Sequence, residues 1–150
     1  MLARPVVRAS ADDFLNPRAI RHRRGRESPE GFFLDSVALG TLAGRLLEPF
    51  AAGDAFRRHA FDHRADAPVA GADEQAPPDA VLLLDGLFLH RDELHDRWDL
   101  SVLLDVPPPV AAERLLRREG VPTRARYAVG QQLYFAACDP RSRATLVLEW

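Results

Sequence analysis

Four short segments rich in apolar residues divide the chain, and polar residues or prolines end most of them. They lie at residues 5–11, 80–84, 100–106 and 145–149. Apolar runs of this length without alternation are typical of strands buried on both faces, as in a parallel sheet. The pattern therefore predicts a parallel sheet built from these four strands.

The segments between the apolar runs carry helical signals. Over 35–50, apolar residues recur at near-helical spacing. A second helix is predicted over 110–119, because prolines precede it and Gly120 follows it. A third, shorter helix is predicted over 131–138, whereas the composition of 65–78 is that of a loop. Strands that alternate with helices predict a doubly wound α/β fold.

The length and composition of the chain indicate one domain. It has 150 residues, of which 47% are hydrophobic and 28% charged, the make-up of a globular domain with an ordinary core. All its basic residues are arginine, which excludes chemistry that needs a lysine, such as Schiff-base formation. The lone Cys138 excludes a disulfide framework and a thiolate metal cluster. We therefore predict a single domain over residues 1–150.

The charge distribution and the lack of targeting signals exclude some classes of partner and some cellular locations. Residues 1–30 carry seven arginines and four acidic side chains, a surplus too small and too mixed for a nucleic-acid surface. No apolar run approaches the ~20 residues that span a bilayer, and the start lacks the apolar stretch of a secretion signal. The sequence predicts a cytoplasmic protein that binds neither nucleic acid nor membrane. Nothing in it indicates an oligomeric state.

Carboxylates follow two of the predicted strands, at the edge where open parallel sheets bind ligands. Asp12 and Asp13 follow the first strand, and Asp85 follows the second. Taken alone, the aspartate pair suits a base or a metal ligand, or else the cap of the next helix. Asp85 suits a magnesium site or an ordinary Asp-Gly turn. The arginines of the 110–119 helix suit a phosphate clamp or a solvated helix face.

Taken in order, five segments resemble uridine kinase and related nucleoside kinases of the P-loop class. They are SADDFLNP, ESPEGFFLDS, AFDHRADAP, AVLLLDGLFLH and AERLLRREG, so the resemblance extends from about Pro5 to Glu149. Pantothenate kinase and phosphoribulokinase share the Asp-x-Phe feature, but the SPEG and RREG pieces favour uridine kinase. The resemblance implies ATP-dependent phosphorylation of uridine or cytidine on the 5′-hydroxyl, a step of pyrimidine salvage, with ATP and Mg²⁺ as cofactors.

The resemblance also implies roles for single residues. Asp12 matches the catalytic carboxylate that takes the proton of the ribose hydroxyl, and it lies near the metal. Phe14 and Phe61 match aromatic side chains of the nucleoside pocket, and Glu27 matches an acid that binds the ribose hydroxyls. Asp85 replaces the more frequent glutamate that holds Mg²⁺ through water. These side chains should converge at the carboxyl edge of the sheet.

Four further residues take their implied roles from the same resemblance. Asp62 and His63 match a hairpin that closes on the base. Arg117 and Arg118 match arginines that neutralise the phosphates at the start of a lid. The helix end that carries these arginines should lie across the cleft from the catalytic carboxylate.

One part of the family's pattern is missing from the sequence. Kinases of this class begin with a strand, a G-x-x-x-x-G-K-[ST] loop and a helix, and none of the three occurs in these residues. We therefore expect an incomplete nucleoside-kinase-like domain, shortened at its N-terminus and inactive alone. The family's first strand lies centrally, so strands 80–85 and 100–106 should face each other across a gap or be forced together. Alternatives are a non-catalytic remnant that binds nucleosides, or a pantothenate-kinase-like enzyme for another small alcohol.

Overall fold

The computed structural model of the protein describes residues 4–120, 122 and 124–150. The chain divides into two compact units, each built from two stretches of sequence. The first unit contains the described residues up to Arg23 and the segment Asp35–Leu87. The second contains Arg24–Leu34 and the described residues of Phe88–Trp150. That residues 1–150 behave as one domain stays a prediction.

Strands and helices follow each other in groups along the chain. In chain order the strands are β1 (Val6–Ser10), β2 (Phe61–Asp62), β3 (Ala67–Pro68), β4 (Val81–Asp85), β5 (Val102–Asp105) and β6 (Leu146–Glu149). The α-helices are α1 (Arg18–Arg21), α2 (Pro29–Asp35), α3 (Leu39–Leu42), α4 (Glu48–Ala52), α5 (Pro108–Glu119), α6 (Ala125–Cys138) and α7 (Pro140–Arg143). A π-helical turn, Ala43–Leu47, joins α3 to α4, and 3₁₀ turns occupy Ala11–Phe14 and Asp92–Arg97.

The first unit combines a parallel strand pair with a helical run. β1 and β4 pair in parallel, and their last residues are register partners. β2 and β3 form an antiparallel hairpin. The run from α3 to α4 turns its apolar residues inward, because Leu42 and Leu46 are fully buried. Phe14, at the end of the turn that follows β1, is equally buried and belongs to this core.

The second unit has a core of aromatic residues beside its own parallel pair, β5 and β6. The core cluster consists of Phe33, Phe88, Tyr134 and Cys138. Its rings meet edge to face, which is a favoured geometry for aromatic pairs. Gly130 lets α6 pack closely on α2, since an added Cβ would lie 2.6 Å from the ring of Phe32.

Two features of the predicted sheet are wrong. The four strands do not form one hydrogen-bonded sheet, because β1 pairs with β4 and β5 pairs with β6, so the alternative in which strands 80–85 and 100–106 are forced together is wrong. That these two strands face each other across a gap stays a prediction. The strands are also not buried on both faces, since Leu83 is 54% exposed and Leu104 is 58% exposed. Burial alternates along β4 and β5, as it does when one face of a sheet is covered. The coarser architecture, α/β with parallel sheets and flanking helices, is confirmed.

Several element boundaries also differ from the prediction. The helical run predicted over 35–50 begins at Leu39 and ends at Ala52, and the helix predicted over 110–119 begins at Pro108. The helix predicted over 131–138 begins at Ala125, because the close packing at Gly130 keeps this glycine inside the helix. The segment predicted as a loop over 65–78 contains β3, which closes a hairpin with β2. Within the described ranges, no helix is long and apolar enough to cross a membrane.

Candidate functional site

Three hydrogen-bonded residues lie at the carboxyl end of the β1–β4 pair. The Ser10 hydroxyl donates to Oδ1 of Asp85 at 3.0 Å and accepts the backbone N–H of Asp12 at 3.4 Å. Directly after β4, Gly86 passes so close to Ala11 that an added Cβ would lie 2.4 Å from the alanine Cβ. The structure therefore places Asp12 and Asp85 at one strand end, with no room for a larger residue at position 86.

The two carboxylates of the turn after β1 have different surroundings. Ser10 caps this turn, and α1 begins without a side-chain cap, so the helix-capping alternative for Asp12 and Asp13 is wrong. Oδ1 of Asp13 lies 3.5 Å from Nε2 of His59. Asp12 is exposed, and among the described residues its carboxylate has no partner. Only the Asp12 carboxylate is therefore open to a ligand on all its lone pairs.

A cavity of about 290 Å³ opens in the first unit next to this turn. Phe14 and Phe61 line it and are 0% and 6% exposed, so the two rings form a fixed apolar floor. Leu15, Pro68 and Val69 add apolar walls. The volume lies near the lower end of the ~300–1,000 Å³ typical of ligand pockets, enough for one small molecule.

The polar part of the cavity lining is cationic. The Nε atom of Arg57 lies 2.5 Å from Oδ1 of Asp73, so this charge is neutralised. Arg45 also lines the cavity, and within the described chain its guanidinium has no hydrogen-bond or ion-pair partner. Thr41 adds a hydroxyl from the same helical run. The cavity thus joins an apolar floor to one unpaired cation.

The predicted hairpin is present, and the Asp62 carboxylate stabilises its turn by hydrogen bonds. Oδ1 of Asp62 accepts the backbone N–H groups of Ala65 at 3.2 Å and Arg64 at 2.8 Å. These two bonds favour the ionised carboxylate and lower the pKa of Asp62. His63 is exposed in the same turn. Contacts of Asp62 and His63 with a base stay predictions.

The remaining predicted site residues belong to the second unit. Glu27 accepts a hydrogen bond from Arg124 at 3.1 Å, and both side chains are substantially exposed. Arg117 pairs with Glu113 at 2.6 Å, one turn away on α5 and fully in solvent. Arg118 is exposed on the same helix. The roles of these residues at ribose and phosphate groups stay predictions.

The side chains at the carboxyl end of β1 offer the type of donor atom that Mg²⁺ binds, but too few of them to hold the ion alone. The oxygens of Ser10, Asp12 and Asp85 are the hard donors that Mg²⁺ takes. Among the described residues, however, no group of three His, Cys, Asp or Glu side chains could hold a metal ion. A metal here would therefore take most of its ligands from water or phosphate oxygens. The phosphates of ATP fit less well, since the sequence has neither a lysine nor a glycine-rich phosphate loop.

Comparison with known proteins shows a likeness of fold. No family profile matches the chain, and no curated protein matches it either. Among solved structures, a possible uridine kinase from Bacillus stearothermophilus is similar to it. The TM-score is 0.74 at 21% sequence identity, over 97% of this chain and 72% of that one. The likeness supports a fold of the P-loop-kinase type.

Some residues of the cavity and its surroundings escaped sequence reasoning. Thr41 and Arg45 are four residues apart on a helix, so their shared face was readable, but nothing marked that face as a cavity wall. His59 lies two positions before Phe61, and only the fold brings it to Asp13. Arg57 resembles any surface arginine in the sequence. Each of these contacts joins elements that are separated along the chain.

Proposed function

We propose that this chain is the acceptor-binding part of a uridine-kinase-like phosphotransferase. A nucleoside, uridine or cytidine, binds in the cavity over Phe14 and Phe61, and Asp12 accepts the proton of its 5′-hydroxyl. The observation that carries the proposal is that two buried aromatic rings from distant parts of the sequence line one cavity beside the turn that holds Asp12. The fold likeness to a possible uridine kinase supports it.

The cavity floor suits a planar base. Stacking of a base on an aromatic side chain contributes about 1–3 kcal/mol. Because Phe14 and Phe61 are already buried, binding orders little that is mobile, and less of this energy is lost as entropy. An apolar, aromatic floor with polar side chains in the lining therefore favours a ligand with an aromatic ring and hydroxyl groups.

Asp12 is the proton acceptor in this proposal. A carboxylate oxygen takes the proton of the acceptor hydroxyl, and the hydroxyl oxygen becomes a better nucleophile toward phosphorus. Asp13 is less suited, because its carboxylate lies against His59. Ser10 holds the backbone of Asp12 and the carboxylate of Asp85 at the same strand end, which positions both groups.

The proposal includes a phosphate donor and a metal ion, although the sequence has no loop that would bind the phosphates of the donor. ATP would supply the phosphoryl group, and Mg²⁺ would neutralise its charge, held by Asp85 through water and by Asp12. Arg117 and Arg118 are the proposed phosphate ligands. Because the 150 residues contain no phosphate loop, we expect nucleoside binding without phosphate transfer from ATP.

Isothermal titration calorimetry of the full chain with a panel of nucleosides tests the proposal. Uridine or cytidine should saturate one site per chain, and Phe61→Leu should weaken that binding about tenfold through lost stacking. Phe135→Leu is the matched control, since Phe135 is a partly buried ring of the second unit that does not line the cavity. Absence of nucleoside binding, or equal weakening by both variants, would overturn the proposal.

The ribose contact proposed for Glu27 has its own test. Glu27→Gln should weaken binding of uridine more than binding of 2′-deoxyuridine, because a carboxylate accepts hydroxyl hydrogen bonds more strongly than an amide. Glu30→Gln, three residues further on and also exposed, is the control and should change neither affinity. An equal loss for both nucleosides would assign Glu27 to its ion pair with Arg124 alone.

One observation favours a second candidate, a kinase of the same fold for a small alcohol that carries an anionic group. The unpaired guanidinium of Arg45 lines the cavity and could bind a carboxylate or phosphate on the acceptor. In the same titrations, pantothenate would then bind more tightly than uridine. Arg45→Gln would weaken the binding of pantothenate and leave that of uridine unchanged.

A further inference from the structure

A second cavity, of about 60 Å³, lies in the second unit at the amino ends of β5 and β6. It is lined by His90, His95, Trp98, Ser101, Arg143 and Thr145. None of these six side chains is a carboxylate, but the Trp98 N–H already donates to the carbonyl oxygen of Leu89 at 2.9 Å, and Nδ1 of His95 lies 2.8 Å from Oδ1 of Asp96. The lining groups left for a ligand are therefore those of His90, Ser101, Arg143 and Thr145. The proposed phosphotransferase uses none of these residues, so the cavity needs an explanation of its own.

The buried ring of His90 has a nitrogen without a hydrogen-bond partner. His90 is 7% exposed, and within the described chain its Nε2 atom has no partner. The Tyr134 hydroxyl accepts the backbone N–H of His90 at 3.2 Å and lies 3.2 Å from its Nδ1. Nδ1 accepts the hydroxyl proton in one tautomer of the ring and donates to the hydroxyl oxygen in the other, so the Tyr134 contact serves Nδ1 in both cases. A buried polar nitrogen without a partner indicates a missing one.

Two hydroxyl groups of the lining also have protons to donate. The backbone N–H of Ser101 donates to Oγ1 of Thr145 at 3.0 Å, and the backbone N–H of Thr145 donates to Oγ of Ser101 at 3.2 Å. This reciprocal pair joins the residues that precede β5 and β6. Because each hydroxyl oxygen already accepts a bond, its own proton remains for another acceptor.

Arg143 adds a cation whose donors are only partly used. Its Nη1 atom donates to the carbonyl oxygen of His90 at 2.9 Å and lies 2.5 Å from Oδ1 of Asp92. Nη2 and Nε have no partner among the described residues. The Arg143 side chain is 24% exposed, whereas that of Asp92 is 80% exposed and does not line the cavity.

We propose that this cavity binds a small oxyanion of the phosphate class. Its oxygens would accept hydrogen bonds from the two hydroxyls, from Arg143 and from His90 in the tautomer protonated on Nε2, which gives a partner to the ring nitrogen that the fold leaves buried without one. A water needs about 10–15 Å³ of such space, so a cavity of about 60 Å³ has room for roughly four water-sized groups, the size of a tetrahedral oxyanion. The ion is free phosphate or the phosphate group of a larger molecule, since both present the same oxygens.

Calorimetric titration of the full chain with inorganic phosphate tests the proposal. One phosphate should bind per chain, and Thr145→Val should weaken the binding about tenfold, the usual loss for one hydrogen bond to a charged group. Thr145→Ser keeps the hydroxyl and should restore the affinity. Arg64→Gln, an exposed arginine on the β2–β3 turn, is the control and should change nothing.

A second pair of variants keeps the test independent of the β5–β6 contact. His90→Asn removes the donor at the Nε2 position and should weaken phosphate binding, whereas His90→Gln keeps a donor there and should weaken it less. Competition by ATP at the same variants would identify a nucleotide phosphate as the source, and its absence would identify the free ion. Lack of saturation, or equal weakening by Arg64→Gln and Thr145→Val, would overturn the proposal and leave a water-filled cavity.

Discussion

The two parallel strand pairs end differently at their carboxyl edges. At the end of β1 and β4, the Asp85 carboxylate accepts one bond from the Ser10 hydroxyl at 3.0 Å. At the end of β5, both oxygens of Asp105 accept bonds from Arg141, at 2.6 and 3.0 Å. The bonds from this arginine lower the pKa of Asp105. One aspartate keeps most of its acceptor capacity, and the other is occupied by the fold.

This difference shows why a carboxylate after an apolar strand is an ambiguous signal. VLLLD and SVLLD look alike in the sequence, yet Asp105 is a structural residue and Asp85 is a candidate ligand. The chain after each aspartate also differs, since Gly86 runs against Ala11 whereas Val106 carries a full side chain. Of these two strand ends, the one after β4 is where the chain passes this close to a neighbouring residue, at Gly86.

The largest effect is expected from filling the space beside Asp85. In Gly86→Ala the added methyl meets Ala11 at 2.4 Å, so one strand end must shift. We expect the free energy of unfolding, measured in urea, to fall by about 1–3 kcal/mol. Gly44→Ala is the matched control, because nothing lies within 4 Å of its added Cβ, and it should be neutral or stabilising. Equal effects of the two changes would show that the strand end is loosely packed.

A pH titration probes the opposite end of the β5–β6 pair. Burial and then the charge of Arg143 lower the pKa of His90, so the unfolded chain takes up a proton at a higher pH than the folded one. This contribution to stability is full above about pH 6.5 and is lost as the pH falls toward the folded pKa. The slope should reach at most about 1.4 kcal/mol per pH unit. In His90→Gln, the free energy of unfolding should no longer show this fall below about pH 6.5. The control His63→Gln changes an exposed histidine and should still show it.

The two aspartates can be compared directly by the same substitution. Asp105→Asn replaces a carboxylate that accepts two arginine bonds, and it should lower the urea midpoint at pH 7. Asp85→Asn keeps an oxygen for the Ser10 hydroxyl and should leave the midpoint nearly unchanged. Because the folded pKa of Asp105 is lowered, its contribution is present above about pH 4 and lost as the pH falls through the folded pKa. The two variants should therefore converge in acid, and a persistent gap there would contradict the ion-pair account.

The smallest effect on stability is expected at Asp12. Asp12→Asn keeps the shape of an exposed side chain without a partner in the described chain, so stability and nucleoside affinity should stay the same. In a form of the protein extended upstream to include the phosphate loop, the same change should remove most turnover, because the amide cannot accept the proton. Asp13→Asn should reduce turnover much less. Equal losses of turnover from both changes would mean that the wrong carboxylate was assigned.

Local patterns in the sequence determined the elements. The four apolar runs are all strands, and Gly120 ends α5 in the left-handed conformation, as a glycine after a proline-started helix predicts. The segment AFDHRADAP forms a hairpin, because the Asp62 carboxylate bonds to the backbone two and three residues later. These features depend on residues that are close along the chain, so their physics is visible in the sequence.

The tertiary structure alone decided which strand faces are covered and which polar groups meet. An apolar run has the same pattern whether one face or both faces are covered, so the exposure of one face of β4 and β5 was not predictable. Asp13 meets His59, and Asp105 meets Arg141. Just before β5 and β6, the hydroxyls of Ser101 and Thr145 each accept the backbone N–H of the other residue. Each pair is distant in sequence, and in a chain whose basic residues are all arginine, composition does not mark which cations are left unpaired. Only packing selects the partners, because a hydrogen bond forms wherever the fold leaves a donor and an acceptor within about 3 Å of each other.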